Sequence, residues 1–168
     1  MDIPTLIDRA HTSAFARWKL NFGLRWSIPF NRPHGFRVVP GANGAMRVEI
    51  PFRRANRNHI RGIHACCLAT AAELCSGLAL IGRMDPKLYR IIMMDLHMDY
   101  HWQAKANACA VFNPTREEVQ RNLYLPLQTA EACLYSAVVH VHDVAGNHLA
   151  TGRITWQVKR WEKVRTRV

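Results

Sequence analysis

Apolar and polar positions recur along this chain in two periods, and the change from one to the other marks its architecture. From Thr5 to Asn21 the residues Leu6, Ala10, Phe15, Trp18 and Leu20 fall at helical spacing and predict one amphipathic helix. Asn31, Pro33 and Gly35 break it. Residues 36–52, FRVVPGANGAMRVEIPF, predict two short strands joined by a turn at Pro40, Gly41, Asn43 and Gly44. The polar stretch 53–62 ends in Gly62 and reads as a loop. His64 to Leu80, HACCLATAAELCSGLAL, carries no proline, one glycine at 77 and one charge, Glu73. A helix apolar on every side is buried on every side, so this segment is predicted to be a central helix wrapped by sheet.

Beyond Asp85 and Pro86 the period drops to two. Over residues 88–102 the alternation puts Ile92, Met94, Leu96, Met98, Tyr100 and Trp102 on a core face, with Met93, Asp95, His97, Asp99 and His101 on a polar one. Residues 106–113 predict a further strand, and 115–123 a short helix opened by a Thr115–Glu118 capping box. Residues 131–144 and 148–161 predict two strands around the turn Ala145-Gly146-Asn147. One long helix cannot be the crossover for so many consecutive antiparallel strands. The expected class is therefore α+β, a strongly curved antiparallel sheet around a long central helix, with an extra N-terminal helix. All 168 residues are expected to form one domain, with 1–30 as a helical extension.

Charge narrows the partners. Twenty-three Lys and Arg against twelve Asp and Glu give +11, a field that attracts nucleic acid, an acidic membrane surface or a phosphorylated small molecule. The cations cluster at Arg53, Arg54, Arg57 and Arg61, and again at Lys159, Arg160, Lys163, Arg165 and Arg167. Without zinc-finger spacing, a phosphate-binding glycine loop or an RNA-binding aromatic signature, no specific nucleic-acid partner is expected. No apolar run approaches the ~18 residues of a membrane span, and the first residues do not read as a secretory signal. Five cysteines, an odd number without paired C-x-x-C spacing, point to reduced thiols and a cytoplasmic location.

The stretch Asn58-His-Ile-Arg-Gly-Ile-His64-Ala-Cys-Cys-Leu-Ala-Thr-Ala-Ala-Glu73 places His64 six residues after Asn58 and Glu73 nine after His64. It resembles the start of the central helix in hotdog-fold thioesterases of the phenylacetate-degradation type. Asp95, Tyr100 and Ala104 resemble the Asp-x-x-x-x-Tyr-x-x-x-Ala strand of the same families, so the likeness covers residues 52–105. The whole chain looks most like an uncharacterised hotdog branch grouped with thioesterases. The resemblance implies an acyl-CoA thioesterase with Asn58, His64 and Glu73 at its site. It also implies a homodimer or dimer of dimers, and no cofactor beyond the coenzyme A moiety of the substrate. Two positions depart from the family pattern: His-Gly-Gly is His64-Ala65-Cys66 here, and a hydroxyl residue two before the Asp is Met93.

The chemistry follows from the residues as well. A helix N-terminus offers unpaired N–H groups and a positive dipole end, so the backbone N–H groups of Ala65 and Cys66 are candidate oxyanion donors. Burial raises the pKa of a carboxylate such as Glu73 and suits it to act as a base near neutrality. Nine residues put His64 and Glu73 on opposite sides of the helix and ~13 Å apart. Only two antiparallel helices from two protomers bring them together, which predicts an isologous dimer with shared sites.

Plainer roles stand beside these. Glu73 could bond a helix terminus or a partner residue, His64 could simply cap the helix, and Asn58 could only shape its loop. The four arginines at 53, 54, 57 and 61 could be solvated or could hold coenzyme A phosphates. Cys66 and Cys67 suit small buried thiols better than nucleophiles. Asp95, His97, Asp99 and His101 suggest metal ligands, but a straight row spreads them over ~20 Å, so no metal site is expected there or at His140 and His142. A catalytically silent acyl-CoA-binding protein is the main alternative to the thioesterase. A hotdog dehydratase separates its His and acid by more residues.

Overall fold

The computed structural model describes residues 2–164. Six strands, β1 (Arg37–Pro40), β2 (Met46–Ile50), β3 (Tyr89–Tyr100), β4 (Ala108–Phe112), β5 (Ala132–Asp143) and β6 (His148–Arg160), form one curved sheet. Their order is β1-β2-β4-β5-β6-β3, and every neighbouring pair is antiparallel. Three helices precede β3: α1 (Ile3–Thr12), α2 (Ala14–Ser27) and the long α3 (Ala65–Ile81). Two short ones, α4 (Arg116–Val119) and α5 (Pro126–Thr129), join β4 to β5 through a π-helical turn at Gln120–Tyr124. This is the expected α+β hotdog arrangement.

The sheet exists to enclose α3, which packs against β2, β3, β4, β5 and β6. Every residue from Leu74 to Leu80 is buried. Burying each of Leu68, Leu74, Leu78 and Leu80 contributes about 1.5–3 kcal/mol. The inward positions of β5 alternate without a break, with Cys133, Tyr135, Ala137, Val139 and Val141 all buried. One aromatic of β6 fixes how closely α3 approaches. The Trp156 indole Nε1 donates to Ser76 Oγ at 3.0 Å, and a Cβ at Gly77 would lie 2.9 Å from the same ring.

Two predicted elements need correction. The single helix expected over residues 5–21 is two helices, because Ser13 adopts extended φ/ψ and its side chain caps α2 by accepting from the Ala16 N–H. That break changes which face is inward: Ile7, Ala10, Ala16 and Leu20 are buried, and Phe15 and Trp18 point outward. In β3 the register against β6 jumps from Met93–Trp156 to Asp95–Thr155, a bulge at Met94. Tyr89 and Ile91 therefore pack on the core before it, and Leu96 and Met98 after it. Ile92 and Met94, expected inside, are exposed, as are Tyr100 and Trp102.

Gly77→Ala is expected to destabilise the fold. Overpacking a close-packed core costs about 1–3 kcal/mol, against about 1 kcal/mol gained from helix propensity. Adding Trp156→Phe should recover part of the loss, because the smaller ring opens space at position 77. Chemical denaturation of both variants checks this, and an alanine variant more stable than wild type would refute it.

Candidate functional site

Distant segments converge on the N-terminus of α3, and a buried asparagine holds the segment leading into it. Asn56 is 1% exposed. Its Nδ2 donates to the carbonyls of Pro51 and His34 at 2.9 Å each, and its Oδ1 lies 3.1 Å from His34 Nδ1. Its backbone carbonyl accepts the His64 N–H at 2.8 Å, which fixes the residue before the helix. Asn58 shapes the next turn: its Oδ1 accepts from the N–H groups of Ile60 (3.1 Å) and Gly62 (3.0 Å). Within that turn Arg61 takes a positive φ of 63°. The Ile63 N–H then donates to Ala104 O at 2.8 Å, joining the loop to the chain after β3.

His64 is the N-cap of α3, and its Nδ1 accepts the Cys66 N–H at 3.1 Å. Of the two candidate oxyanion donors, Cys66 is thereby occupied, whereas the Ala65 N–H has no partner among the described residues. The Tyr100 hydroxyl donates to the Ala65 carbonyl at 3.1 Å. Asn58, Ile63, Ala65, Leu68, Tyr100 and Trp102 line a cavity of about 320 Å³ beside this N-terminus. The structure thus gathers Asn58, His64, Ala65 and Tyr100 in one place.

Glu73 is not with them. It lies two turns further along α3, ~12 Å from Ala65 by helical rise. It shares with Cys66, Ala69 and Thr70 the one strip of the helix that the sheet leaves open. Its carboxylate makes no hydrogen bond or ion pair among the described residues, and burial alone pushes its pKa above the ordinary 4.5. A second, largely apolar cavity of about 360 Å³ opens between α2, the segment after it and Leu74, the residue next to Glu73.

Arg53, Arg54, Arg57 and Arg61 are all exposed and form no ion pair among the described residues; Arg57 stacks on Phe52 at 5.3 Å. In the second basic cluster Lys159 and Lys163 approach Glu131 at 4.0 and 3.8 Å, and Arg160 lies over Tyr89. Arg165 and Arg167 lie outside the described residues. The cysteines are unpaired, and burial pushes the Cys67 thiol up to about 12, which leaves it a poor nucleophile.

The polar row on β3 does not stay together. His97 Nε2 sits 3.1 Å from Asp99 Oδ1, and Asp99 pairs with Arg153. His101 turns instead toward β5 and β6, where register places His142 opposite His148. Ring centroids of His101, His140 and His142 lie 4.5, 5.4 and 4.8 Å from that of His148. Pairwise spacing within one strand could not reveal this four-imidazole group. Among the described residues, no group of three or more His, Cys, Asp or Glu side chains is placed to hold a metal ion.

Glu73→Gln should leave its mark on stability. Because the folded pKa is raised, the protonated acid stabilises the fold, fully so below pH 4.5, and that contribution is lost as pH rises through the folded value. The glutamine variant, which never ionises, should melt higher than wild type at neutral pH, and the gap should close as pH falls toward 4.5. Paired melting curves across this range measure it; a gap that is constant with pH would remove the buried-carboxylate assignment.

The fold recurs among known proteins. Among solved structures, a Pseudomonas aeruginosa protein of unknown function described as a probable thioesterase superposes with a TM-score of 0.76 at 22% identity, covering 85% of this chain and 95% of that one. A thioesterase of Haemophilus influenzae gives 0.69 at 11% identity, covering 94% and 99%. A mutant thioesterase of Pseudomonas aeruginosa gives 0.67 at 12%, covering 86% and 94%. Likeness at these identities establishes the shared fold. No curated protein matches the chain. A family model matches residues 17–158, from within α2 to near the end of β6, and on that match the chain belongs to the family described as Domain of unknown function (DUF4442).

Proposed function

We propose that the protein is an acyl-CoA thioesterase akin to the phenylacetate-degradation type, working at a site shared by two copies. The observation that carries the reading is the position of Glu73: half-buried, on the same open strip of α3 that leads to the Ala65 N–H, with neither group partnered among the described residues. Two antiparallel α3 helices would set Glu73 of one copy beside Ala65 and Asn58 of the other. β3 supports such pairing. It is a twelve-residue edge strand with unpaired backbone groups and exposed Ile92, Met93 and Met94, the kind of edge that recruits a second chain.

In the proposed reaction the Glu73 carboxylate takes a proton from water, and the hydroxide formed attacks the thioester carbon. Its raised pKa brings it toward the range where a base works near neutral pH. The Ala65 N–H and the positive end of α3 stabilise the oxyanion. Collapse of the tetrahedral intermediate breaks the carbon–sulfur bond, and the departing thiolate takes the proton back from Glu73. The exposed cations Arg53, Arg54, Arg57 and Arg61 would hold the phosphates of coenzyme A, and the apolar cavity beside Leu74 would accommodate the acyl chain. Five unpaired thiols fit a reducing compartment such as the cytoplasm.

One observation favours the second reading, acyl-CoA binding without turnover: His64 occupies the Cys66 N–H and leaves a single oxyanion donor. A panel of acyl-CoA thioesters assayed for thiol release separates the two. Hydrolysis of one chain class is expected, with a loss of about 100-fold or more in Glu73→Gln. Mixing Glu73→Gln chains with Ala65→Pro chains, which lack the oxyanion N–H, should restore part of the activity, since some mixed dimers keep one complete site. A glutamine variant with wild-type turnover, or verified mixed dimers without recovery, would overturn the shared-site model.

Coenzyme A affinity should fall with added salt and with Arg→Ala changes at 53, 54, 57 and 61, as exposed phosphate contacts are screened. Titration calorimetry reads both, and binding indifferent to salt and to these arginines would remove the phosphate site.

A further inference from the structure

The outward face of α2 is a row of aromatic rings. Phe15, Trp18, Phe22 and Trp26 are 64, 59, 53 and 55% exposed and follow one another at three- and four-residue steps. Successive ring centroids lie 6.0, 5.5 and 6.4 Å apart. The row runs ~17 Å along the helix, and Phe30 follows it, 71% exposed. This contiguous apolar stripe is of a kind that marks an interaction surface. The inward face of the same helix is already engaged: Ala16 and Leu20 are buried, and Asn21 exchanges hydrogen bonds with both backbone groups of Val38 in β1 at 2.8 and 2.7 Å.

Charge identifies what the stripe faces. From Arg9 to Val48 the chain has seven Lys and Arg residues and not one Asp or Glu. The cations are interleaved with the rings: Lys19 Nζ lies 4.6 Å from the Phe15 centroid, Arg32 Cζ lies 4.4 Å from that of Trp26, and Arg25 is exposed between them. A second copy docked through this face would set Lys19, Arg25 and Arg32 against their own counterparts, with no acid in the segment to neutralise them. Phe15, Trp18 and Phe22 stack on one another, at interplanar angles of 10 and 22°, so their faces are turned to each other. Nucleobases need free, separated ring faces to stack on, and these rings stack on each other instead. An anionic bilayer satisfies both properties at once, taking the rings at the acyl boundary and the cations among lipid phosphates.

We propose that α2 is a peripheral membrane anchor that lies flat on an anionic phospholipid surface through Phe15, Trp18, Phe22 and Trp26, with Lys19, Arg25 and Arg32 on the headgroups. No helix among the described residues is long and apolar enough to cross a membrane, so the contact is with the surface only. α2 is fastened to β1, the strand at the opposite edge of the sheet from β3. Lipid docking and pairing along β3 therefore use different edges; Trp18, Phe22, Arg25 and Arg32 also line the cavity beside Leu74, so this inference is tested by vesicle binding and not by turnover.

The test is flotation of the full chain with vesicles of phosphatidylcholine alone and of phosphatidylcholine mixed with phosphatidylglycerol. Wild type should float with the mixed vesicles, less so in high salt, and hardly at all with phosphatidylcholine. Replacing Trp18, Phe22 and Trp26 together by Ser should lower the partition more than about tenfold, since burial of one such ring alone is worth roughly that factor. Arg25→Gln, which leaves the rings in place, should lower it about fivefold. Circular dichroism confirms the fold of each variant, and Arg25→Gln keeps the test informative if the triple variant misfolds. Three results would overturn the proposal. Wild type could fail to float with the mixed vesicles. Alternatively, the serine variant could float as well as wild type, which would assign binding to bulk charge. The third is no vesicle binding together with a lower mass of the serine variant by light scattering, which would give the stripe to a second copy.

Discussion

A helix with no polar face cannot stand in water, and most of this molecule follows from that constraint. α3 carries one acidic or basic side chain in seventeen residues, so its stability comes from enclosure rather than from its own hydrogen bonds. The sheet supplies the enclosure by curving round it. The closest approach, where Gly77 meets the Trp156 ring and Ser76 accepts its N–H, sets the distance between layers. The absent side chain at Gly77 and the polar atom at Ser76 serve one contact. The ring needs room, and its buried N–H needs an acceptor.

Enclosure is incomplete in one strip. Cys66, Ala69, Thr70 and Glu73 remain partly open, and the Glu73 carboxylate is desolvated without a compensating bond among the described residues. A carboxylate in that state costs stability in a lone chain. The N-terminus of the same helix is the converse case. Asn56, His64, Tyr100 and Ala104 use their polar groups to anchor it, and the Ala65 N–H is left without a partner among the described residues. The two incomplete regions are too far apart to serve each other within one chain.

The sheet edges are treated differently. β3 leaves a long, partly apolar edge open at one side, whereas β1 at the other is only four residues long and is covered by α2 through Asn21. The excess positive charge is likewise uneven. Much of it lies in the acid-free segment that includes α2 and in the arginine loop before α3, while Lys159 and Lys163 are partly balanced by Glu131. Net charge alone could not distinguish these places.

The sequence by itself determined the element types and their order. Periods of 3.6 and 2 are local properties, and the unbroken apolar run from His64 to Leu80 made a wrapped central helix the economical solution. It determined the capping box at Thr115 and Glu118 for the same reason, since both partners lie within one turn. Tertiary structure decided phase and pairing. The bulge at Met94 shifted the phase of β3, so that Tyr89 and Ile91 face the core before it while Leu96 and Met98 face the core after it as their alternation predicted, because register depends on the partner strand β6 and not on the alternation of β3 alone. The cap at Ser13 rotated Phe15 and Trp18 outward, although their spacing was equally compatible with the core. Asn56 surpassed Asn58 as the anchor before α3 because burial, invisible in a motif, decides which amide must satisfy distant carbonyls. The four imidazoles of His101, His140, His142 and His148 met only through the register of three strands, since residues far apart in the chain become neighbours when backbone pairing makes them so.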